Sequence, residues 1–357
     1  MKIGILGFSQ SGKKTLFHVL TGNGVRHPGV DATKPIPGTA NIRDHRFGAL
    51  VELYRPKSEA PAKIHVELFP DIDKRLLQEG KIFRDIAGMD ALCHVVRGFE
   101  DPSVYHVSGS VEPLRDLDEI NAELLFHDLG FVEKRLERLA HDELSGKQAR
   151  IDRDRAILER LRSHLEAEQP LRTFPLSPED RRAVATYPLI TLKEMVVALN
   201  TSEDRGLDHA VDSALQDRAR TQRLSLMVLS AKFEAEVAEL ESAEERQAFL
   251  DSAGVREPAL ARLTRQCMSA LGLISFFTVG PDEVRQWLVR AGSTAPQAGR
   301  AIHSDIERGF IRAEVMKYDD LMAHGSEQAV KKAGKYQTMG RDYIVEDGDI
   351  INFLFNV

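Results

Sequence analysis

The sequence predicts an α/β fold built on a mostly parallel sheet, and three observations carry that expectation. Short, almost wholly apolar runs recur at Ile3–Leu6, Ala91–Val96, Met195–Leu199 and Leu224–Leu229, as strands covered on both faces require. The first of them leads through a tight loop into an apolar helical stretch with Leu16, Phe17, Val19 and Leu20. The loop, Gly7-Phe8-Ser9-Gln10-Ser11-Gly12-Lys13-Lys14-Thr15, carries two glycines five apart with a lysine directly after the second.

That spacing matches G-x-x-x-x-G-K-[ST], in which backbone N–H groups curl round phosphates and the lysine reaches their charge. The N-terminus of the following helix adds a favourable dipole. Strand, loop and helix together predict a P-loop NTPase fold. Its nucleotide-binding residues would be Ser9, Gln10, Ser11, Gly12, Lys13, Lys14, Thr15 and Leu16. A glycine turn with an exposed lysine pair is the bland alternative. The position after Lys13 should carry the Ser or Thr hydroxyl that binds Mg²⁺, and here it is Lys14. Sliding the frame to Thr15 fails, because Lys13 would then stand in the second glycine's place. An ammonium cannot ligate Mg²⁺, although it can neutralise phosphate directly. Mg²⁺ as a cofactor is therefore in doubt.

The chain's 357 residues suffice for two or three domains. With 29% charged and 42% hydrophobic residues it has the composition of an ordinary soluble globular protein. A net charge of −7 argues against a protein that simply coats nucleic acid, leaving room for a local basic patch. Cys93 and Cys267 each lie in an apolar run, without disulfide or metal spacing, and read as reduced core thiols. The chain opens on a strand rather than a signal peptide. No run approaches the ~20 apolar residues of a membrane span. A cytoplasmic protein without a membrane partner is the expectation.

Residues 21–62 are rich in Gly, Pro and Thr. In a P-loop protein a mobile switch loop follows the first helix, so Thr33 and Thr39 are candidates to meet Mg²⁺ or a γ-phosphate; surface-loop threonines are the weightier reading. Lys63–Phe69 reads as a strand that ends on Pro70-Asp71-Ile72-Asp73-Lys74. Asp71 stands where an NTPase places the aspartate of Asp-x-x-Gly, which touches Mg²⁺ through water, but the glycine is missing. The literal Asp85-Ile86-Ala87-Gly88 lies on the far side of a helix-like Leu76–Phe83 and is misplaced for metal. His94, inside the apolar run, reads as a satisfied core histidine.

From Leu117 the apolar period changes to fours and threes at Leu125, Leu129, Val132, Leu136 and Leu139. Ser145-Gly146 interrupts it, and Ile151, Leu158, Leu161 and Leu165 resume it. That is a pair of antiparallel helices packed as a short coiled coil. Its arginines, Arg135, Arg138, Arg153, Arg155, Arg160 and Arg162, are interleaved with acids. A solvated face outweighs an RNA-binding one. The strand pattern then returns. One strand ends at Asn200-Thr201-Ser202-Glu203 and the next at Ser230-Ala231-Lys232, on the rim where ligands bind in parallel sheets. Beyond Thr278, short strands, one helix over Tyr318–Ala333 and a last strand from Ile350 indicate a small α+β domain.

With these residues in place the chain resembles the YchF/Obg-like ATPase family over nearly its whole length. The resemblance is carried by Phe99-Glu-Asp-Pro102, His106-Val-Ser-Gly109, Asn200-Thr-Ser-Glu203, Ser230-Ala-Lys232, Thr294-Ala-Pro-Gln297, Gly309-Phe-Ile-Arg-Ala313 and Asp342–Asp349. It implies a G domain over 1–116 and 184–276, an inserted coiled coil over 117–183, and a C-terminal TGS domain of ubiquitin-like fold over 277–357. It also implies slow ATP or GTP hydrolysis and association with ribosomes or RNA. Asn200, Glu203, Ser230, Ala231 and Lys232 would form the base-reading end. Glu203 is one methylene longer than the aspartate that pairs with guanine, so selectivity should be weak. Asn200 can donate to the base or brace the P-loop; an Asn-x-Ser-Glu helix cap is the alternative. His106 takes the place of the family histidine thought to assist hydrolysis. The departures at Lys14, at Pro70–Lys74 and across Asp31–Asn41 fall together on the metal and γ-phosphate end, where rate is made by positioning and charge. Impaired hydrolysis follows. The alternative is a hydrolysis-dead scaffold, or an RNA- or ribosome-binding protein using Lys331, Lys332, Lys335 and Arg341. A solvated helix face explains those four equally well.

Overall fold

The computed structural model describes residues 1–22, 34–72, 80–142, 148–202, 211–255 and 257–356. They fall into two units, Met1–Thr39 with His65–Ala259, and Ala40–Ile64 with Leu260–Val357. The strands in chain order are β1 (Lys2–Leu6), β2 (Ile36–Asn41), β3 (Ser58–Ala60), β4 (Lys63–Leu68), β5 (Ala91–Arg97), β6 (Met195–Asn200), β7 (Ser225–Leu229), β8 (Leu273–Thr278), β9 (Glu283–Arg290), β10 (Phe310–Lys317), β11 (Gln337–Met339) and β12 (Asp349–Phe355).

The first unit is built on a six-stranded sheet of order β2-β4-β1-β5-β6-β7. β1 lies parallel to both β4 and β5, and the β5–β6 and β6–β7 pairs are parallel too. Every residue of β5 and β6 is buried, which explains their unbroken apolar runs. Because these five strands point the same way, their C-terminal ends share one rim. That rim collects the P-loop after β1, Asp71 after β4, the 98–112 loop after β5, Asn200 at the end of β6 and Ser230 after β7. Cys93 in β5 and Cys267 in the helix at Ala259–Ala270 are both buried, and burial pushes the Cys93 thiol up to about 12.

The helical insertion runs over Pro113–Asp142 and Gln148–Glu166, starting four residues earlier than its apolar period suggests. Proline is well placed to open it, since the first helical N–H needs no partner. Val132, Leu139, Leu158, Leu161 and Leu165 form the seam; the Ser145-Gly146 break and the Ile151 side chain lie outside the described residues. The base of the pair is fastened by polar groups. The buried Asp128 carboxylate accepts from the Ile190 and Thr191 amides at 2.9 and 2.7 Å and from the Thr191 hydroxyl at 2.7 Å. Buried Arg172 donates to the Gln222 carbonyl at 3.0 Å.

In the second unit the sheet order is β11-β10-β12-β8-β9-β3. β8 and β9 form an antiparallel hairpin, β12 runs parallel to β8 and antiparallel to β10, and β3 joins parallel to β9. Two expectations are corrected here. Of residues 21–62, where a switch loop is expected, the described part from 34 onward holds β2, a helix at His45–Tyr54 and β3, and Ala40–Ile64 groups with Leu260–Val357. Asp44 caps that helix by accepting from the Arg46 amide, and Leu50 packs with Phe277, Val284, Met316 and Ile350. The single helix expected over Tyr318–Ala333 is two, Tyr318–His324 and Glu327–Lys332. Gly325 ends the first at a φ of 74°, which glycine tolerates best, and Ser326 caps the second. Among the described residues no helix is long and apolar enough to cross a membrane.

Candidate nucleotide site

The P-loop is held from three sides. From within, Gly12 adopts a φ of 91° as N-cap of α1 (Lys13–Thr21), a left-handed conformation that a side chain would strain. An added Cβ there would also fall 2.1 Å from Asn200 Nδ2. From one side comes Asn200, 4% exposed. Its amide donates to the Ser11 carbonyl at 3.0 Å and accepts from the Ala231 amide at 2.8 Å. From the other side, Ile72 bridges to Phe8 and its amide reaches the Gly7 carbonyl at 3.4 Å. That bridge sets Asp71 beside the loop. No side chain caps α1, and its first-turn N–H groups have no intrahelical acceptor, so they are available to phosphate oxygens.

Two lysines meet on Asp71. Lys13 is 2% exposed; its ammonium donates to the Phe8 carbonyl at 3.0 Å and to Asp71 Oδ1. Lys14, more than half exposed, donates to Asp71 Oδ2 at 3.0 Å. Burial lowers the Lys13 pKa below its ordinary value, and the Asp71 partner only partly opposes this. At Asp71 burial works upward, yet the hydrogen bonds from Lys13 and Lys14 prevail and hold the carboxyl below its ordinary range. Beneath the loop, His94 is fully buried with neither ring nitrogen partnered. Burial, then the Lys13 charge, push it down to about 3. It is a core histidine as expected, but an unsatisfied one.

The other expected residues sort by exposure. Ser9 and Gln10 lie at the open side of the loop, Thr15 is exposed, and the Leu16 side chain is buried in the core. The Ser11 hydroxyl is buried and has no partner. Ser230 accepts from the Phe233 amide at 3.2 Å and so caps the helix at Ala231–Glu239. Lys232 is exposed and pairs with Glu236. Thr39 is exposed on β2. Thr33 and Glu203 lie outside the described residues.

His106 is engaged with the start of the inserted helix. It is buried, with Nε2 2.8 Å from Asp116 and Nδ1 accepting from the Ser108 amide at 3.1 Å. Since Nδ1 accepts, Nε2 carries the proton and donates. Both nitrogens are used in pinning the 98–112 loop to the start of the inserted helix, so neither can orient a water in this conformation. Arg97 shapes the same loop through the Phe99 and Val104 carbonyls, each at 3.0 Å.

Mg²⁺ does not fit the residues present. The hydroxyl it would need is the Lys14 amine, and both oxygens of the expected metal aspartate are taken by ammonium groups. Asp71, expected as a weak metal ligand, accepts from both lysines. Asp85-Ile86-Ala87-Gly88 closes the helix at Lys81–Ala87 and is no switch. The double clamp on Asp71 had one legible signal, the adjacent lysines. The Asn200 brace could be suspected, whereas the His106–Asp116 pair could not.

A parallel sheet whose first strand feeds an uncapped helix through such a loop, with an acidic residue at the neighbouring strand end, defines a P-loop NTPase. Comparison with known proteins narrows this. Residues 273–356 match the family described as YchF-GTPase_C, protein of unknown function (DUF933). The ribosome-binding ATPase YchF of Bacillus subtilis is 38% identical over 99% of each chain. The human Obg-like ATPase 1 is 35% identical over 100% of this chain and 92% of its own. The structure of the Schizosaccharomyces pombe YchF GTPase superimposes with a TM-score of 0.84 at 31% identity, covering 99% of this chain and 97% of that one. The chain belongs to the YchF/Obg-like ATPase family.

Proposed function

We propose that this protein binds ATP or GTP through Ser9–Leu16, with relaxed base preference and slow or impaired hydrolysis, and that it acts in association with the ribosome. The observation that carries the reading is the Asn200 brace. A buried amide fixes the P-loop and the Ser230-Ala231-Lys232 loop to each other, so an anion cradle stands ready beside an uncapped helix N-terminus. With Asn200 spent on the loops, little is left to read a base, which favours weak selectivity between adenine and guanine.

Impaired hydrolysis is favoured by three features at the phosphate end. Asp71 is occupied by lysines, His106 is occupied by Asp116 and Ser108, and Lys14 replaces a hydroxyl. Phosphoryl transfer depends on positioning and charge stabilisation, so turnover should sit orders of magnitude below that of an assisted GTPase. The ribosome partner is supported by the relatives named ribosome-binding ATPases. Of the C-terminal basic residues Lys335 is paired with Asp320, whereas Arg341, on the Phe310 carbonyl, and Lys331, over Tyr336, keep their charge, and all of them and Lys332 are exposed.

Calorimetry with ATP, GTP and ADP tests binding. Comparable affinity for ATP and GTP supports the reading, and absence of binding to any of them overturns it. Steady-state phosphate release measures turnover. Cosedimentation with ribosomes over a salt series tests the partner, since phosphate contacts weaken steeply with salt.

A further inference from the structure

We propose that the Lys14 ammonium takes the place of the divalent cation in this site, so that nucleotide binding does not depend on metal. The inference rests on the nucleotide-binding reading above and goes beyond it. In P-loop NTPases the metal sits between the hydroxyl after the P-loop lysine and a carboxylate at a neighbouring strand end, and it bridges the terminal phosphates. This chain keeps the carboxylate, Asp71, and substitutes an amine for the hydroxyl. The two touch: Lys14 Nζ lies 3.0 Å from Asp71 Oδ2. The span a metal would bridge is already closed by a hydrogen-bonded ion pair. The positive charge there is covalently part of the protein.

Charge balance points the same way. Lys13, Lys14 and Asp71 together carry one net positive charge, all held within one hydrogen-bonded cluster. Adding a divalent ion would set two further charges beside two ammonium groups, a like-charge crowding that disfavours its binding. Without the ion, Lys14 still has three N–H donors, and Asp71 uses one. The side chain is 57% exposed, so the remaining donors are open to a phosphate. A serine here would supply one lone pair to a metal; the lysine supplies charge directly. An exposed ion pair is worth little as a stabiliser of the fold, so the residue's use must be sought in what it offers a ligand.

The test is calorimetry of the full chain with ATP, in excess MgCl₂ and in EDTA, for the wild type, Lys14→Ser and Lys14→Ala. The exposure of Lys14 means both variants should fold, which circular dichroism checks. In the wild type the two buffers should give affinities within about threefold of each other. Lys14→Ser should bind at least about tenfold more tightly with Mg²⁺ than with EDTA, because a hydroxyl and a released Asp71 oxygen then serve the metal. Lys14→Ala should be weaker than the wild type in EDTA. Mn²⁺ electron paramagnetic resonance on the nucleotide complex gives a direct readout, with protein-perturbed signal expected for Lys14→Ser and not for the wild type. Wild-type binding that collapses in EDTA overturns the inference while leaving nucleotide binding intact. No binding in either buffer removes both.

Discussion

Replacing Asn200 with alanine takes away two hydrogen bonds at once and leaves their partners in place. The Ser11 carbonyl and the Ala231 N–H are both buried against this side chain, and the amide meets them at 3.0 and 2.8 Å. A buried polar group left unmade costs about 1–3 kcal/mol, so the pair amounts to roughly 2–6 kcal/mol. Water can enter after the truncation, which favours the lower end. If that loss is felt as disorder of the P-loop, binding of the phosphate chain weakens. At about 1.4 kcal/mol per factor of ten, 2 kcal/mol corresponds to about 25-fold. Calorimetry with ATP, GTP and inorganic tripolyphosphate separates bracing from base reading. Tripolyphosphate has no base, so bracing requires that its affinity fall by the same factor as that of the nucleotides. A loss confined to ATP and GTP, with tripolyphosphate untouched, would refute the bracing argument and make Asn200 a base contact.

Three further outcomes are expected. His106→Ala should lower the unfolding free energy by about 1.5–3 kcal/mol for the lost bond to a buried carboxylate, seen as a lower urea midpoint; an unchanged midpoint with abolished phosphate release would instead place the imidazole in catalysis. Asp128→Asn turns an acceptor facing Thr191 into a donor and should destabilise the base of the helical pair by at least about 3 kcal/mol. Urea unfolding followed by circular dichroism reads that loss, and a wild-type midpoint would contradict it. Acid should act through Asp71, whose folded pKa lies below the ordinary 3.8. Its contribution is complete above 3.8, where the carboxyl is charged folded or unfolded, and is lost as pH falls through the lower folded value. Unfolding midpoints of the wild type should therefore drop more steeply in acid than those of Asp71→Asn; parallel acid limbs would remove Asp71 from the pH response.

Much of the sheet was legible because its signal is local. β5 begins where its apolar run begins and ends one residue past Val96, as β6 runs one residue past the expected Leu199. The helix at His45–Tyr54 has Phe47, Leu50, Val51 and Tyr54 on one apolar face and Asp44 as its cap, a readable pattern that the surrounding Gly and Pro residues obscured. β3 is three residues long, and only its pairing with β9, more than two hundred positions away, makes it a strand. Gly325 could be read as a stop, but whether a second short helix forms beyond it depends on Leu321 and Val330 sharing a core with Phe277 and Ile350.

At the candidate site the division is sharper. By itself the sequence determined that a glycine loop joins β1 to α1, that a lysine follows it, and that an amine replaces the next hydroxyl, because each is a matter of neighbours along the chain. Only the tertiary structure decided what that amine meets. Asp71 is 57 positions from Lys14, and Asn200 is 189 positions from Ser11. Such groups become partners because parallel strands bring their C-terminal ends to one rim. The same folding turned His106 inward to Asp116, since a side chain beside a buried carboxylate is held by it whatever role its motif suggests.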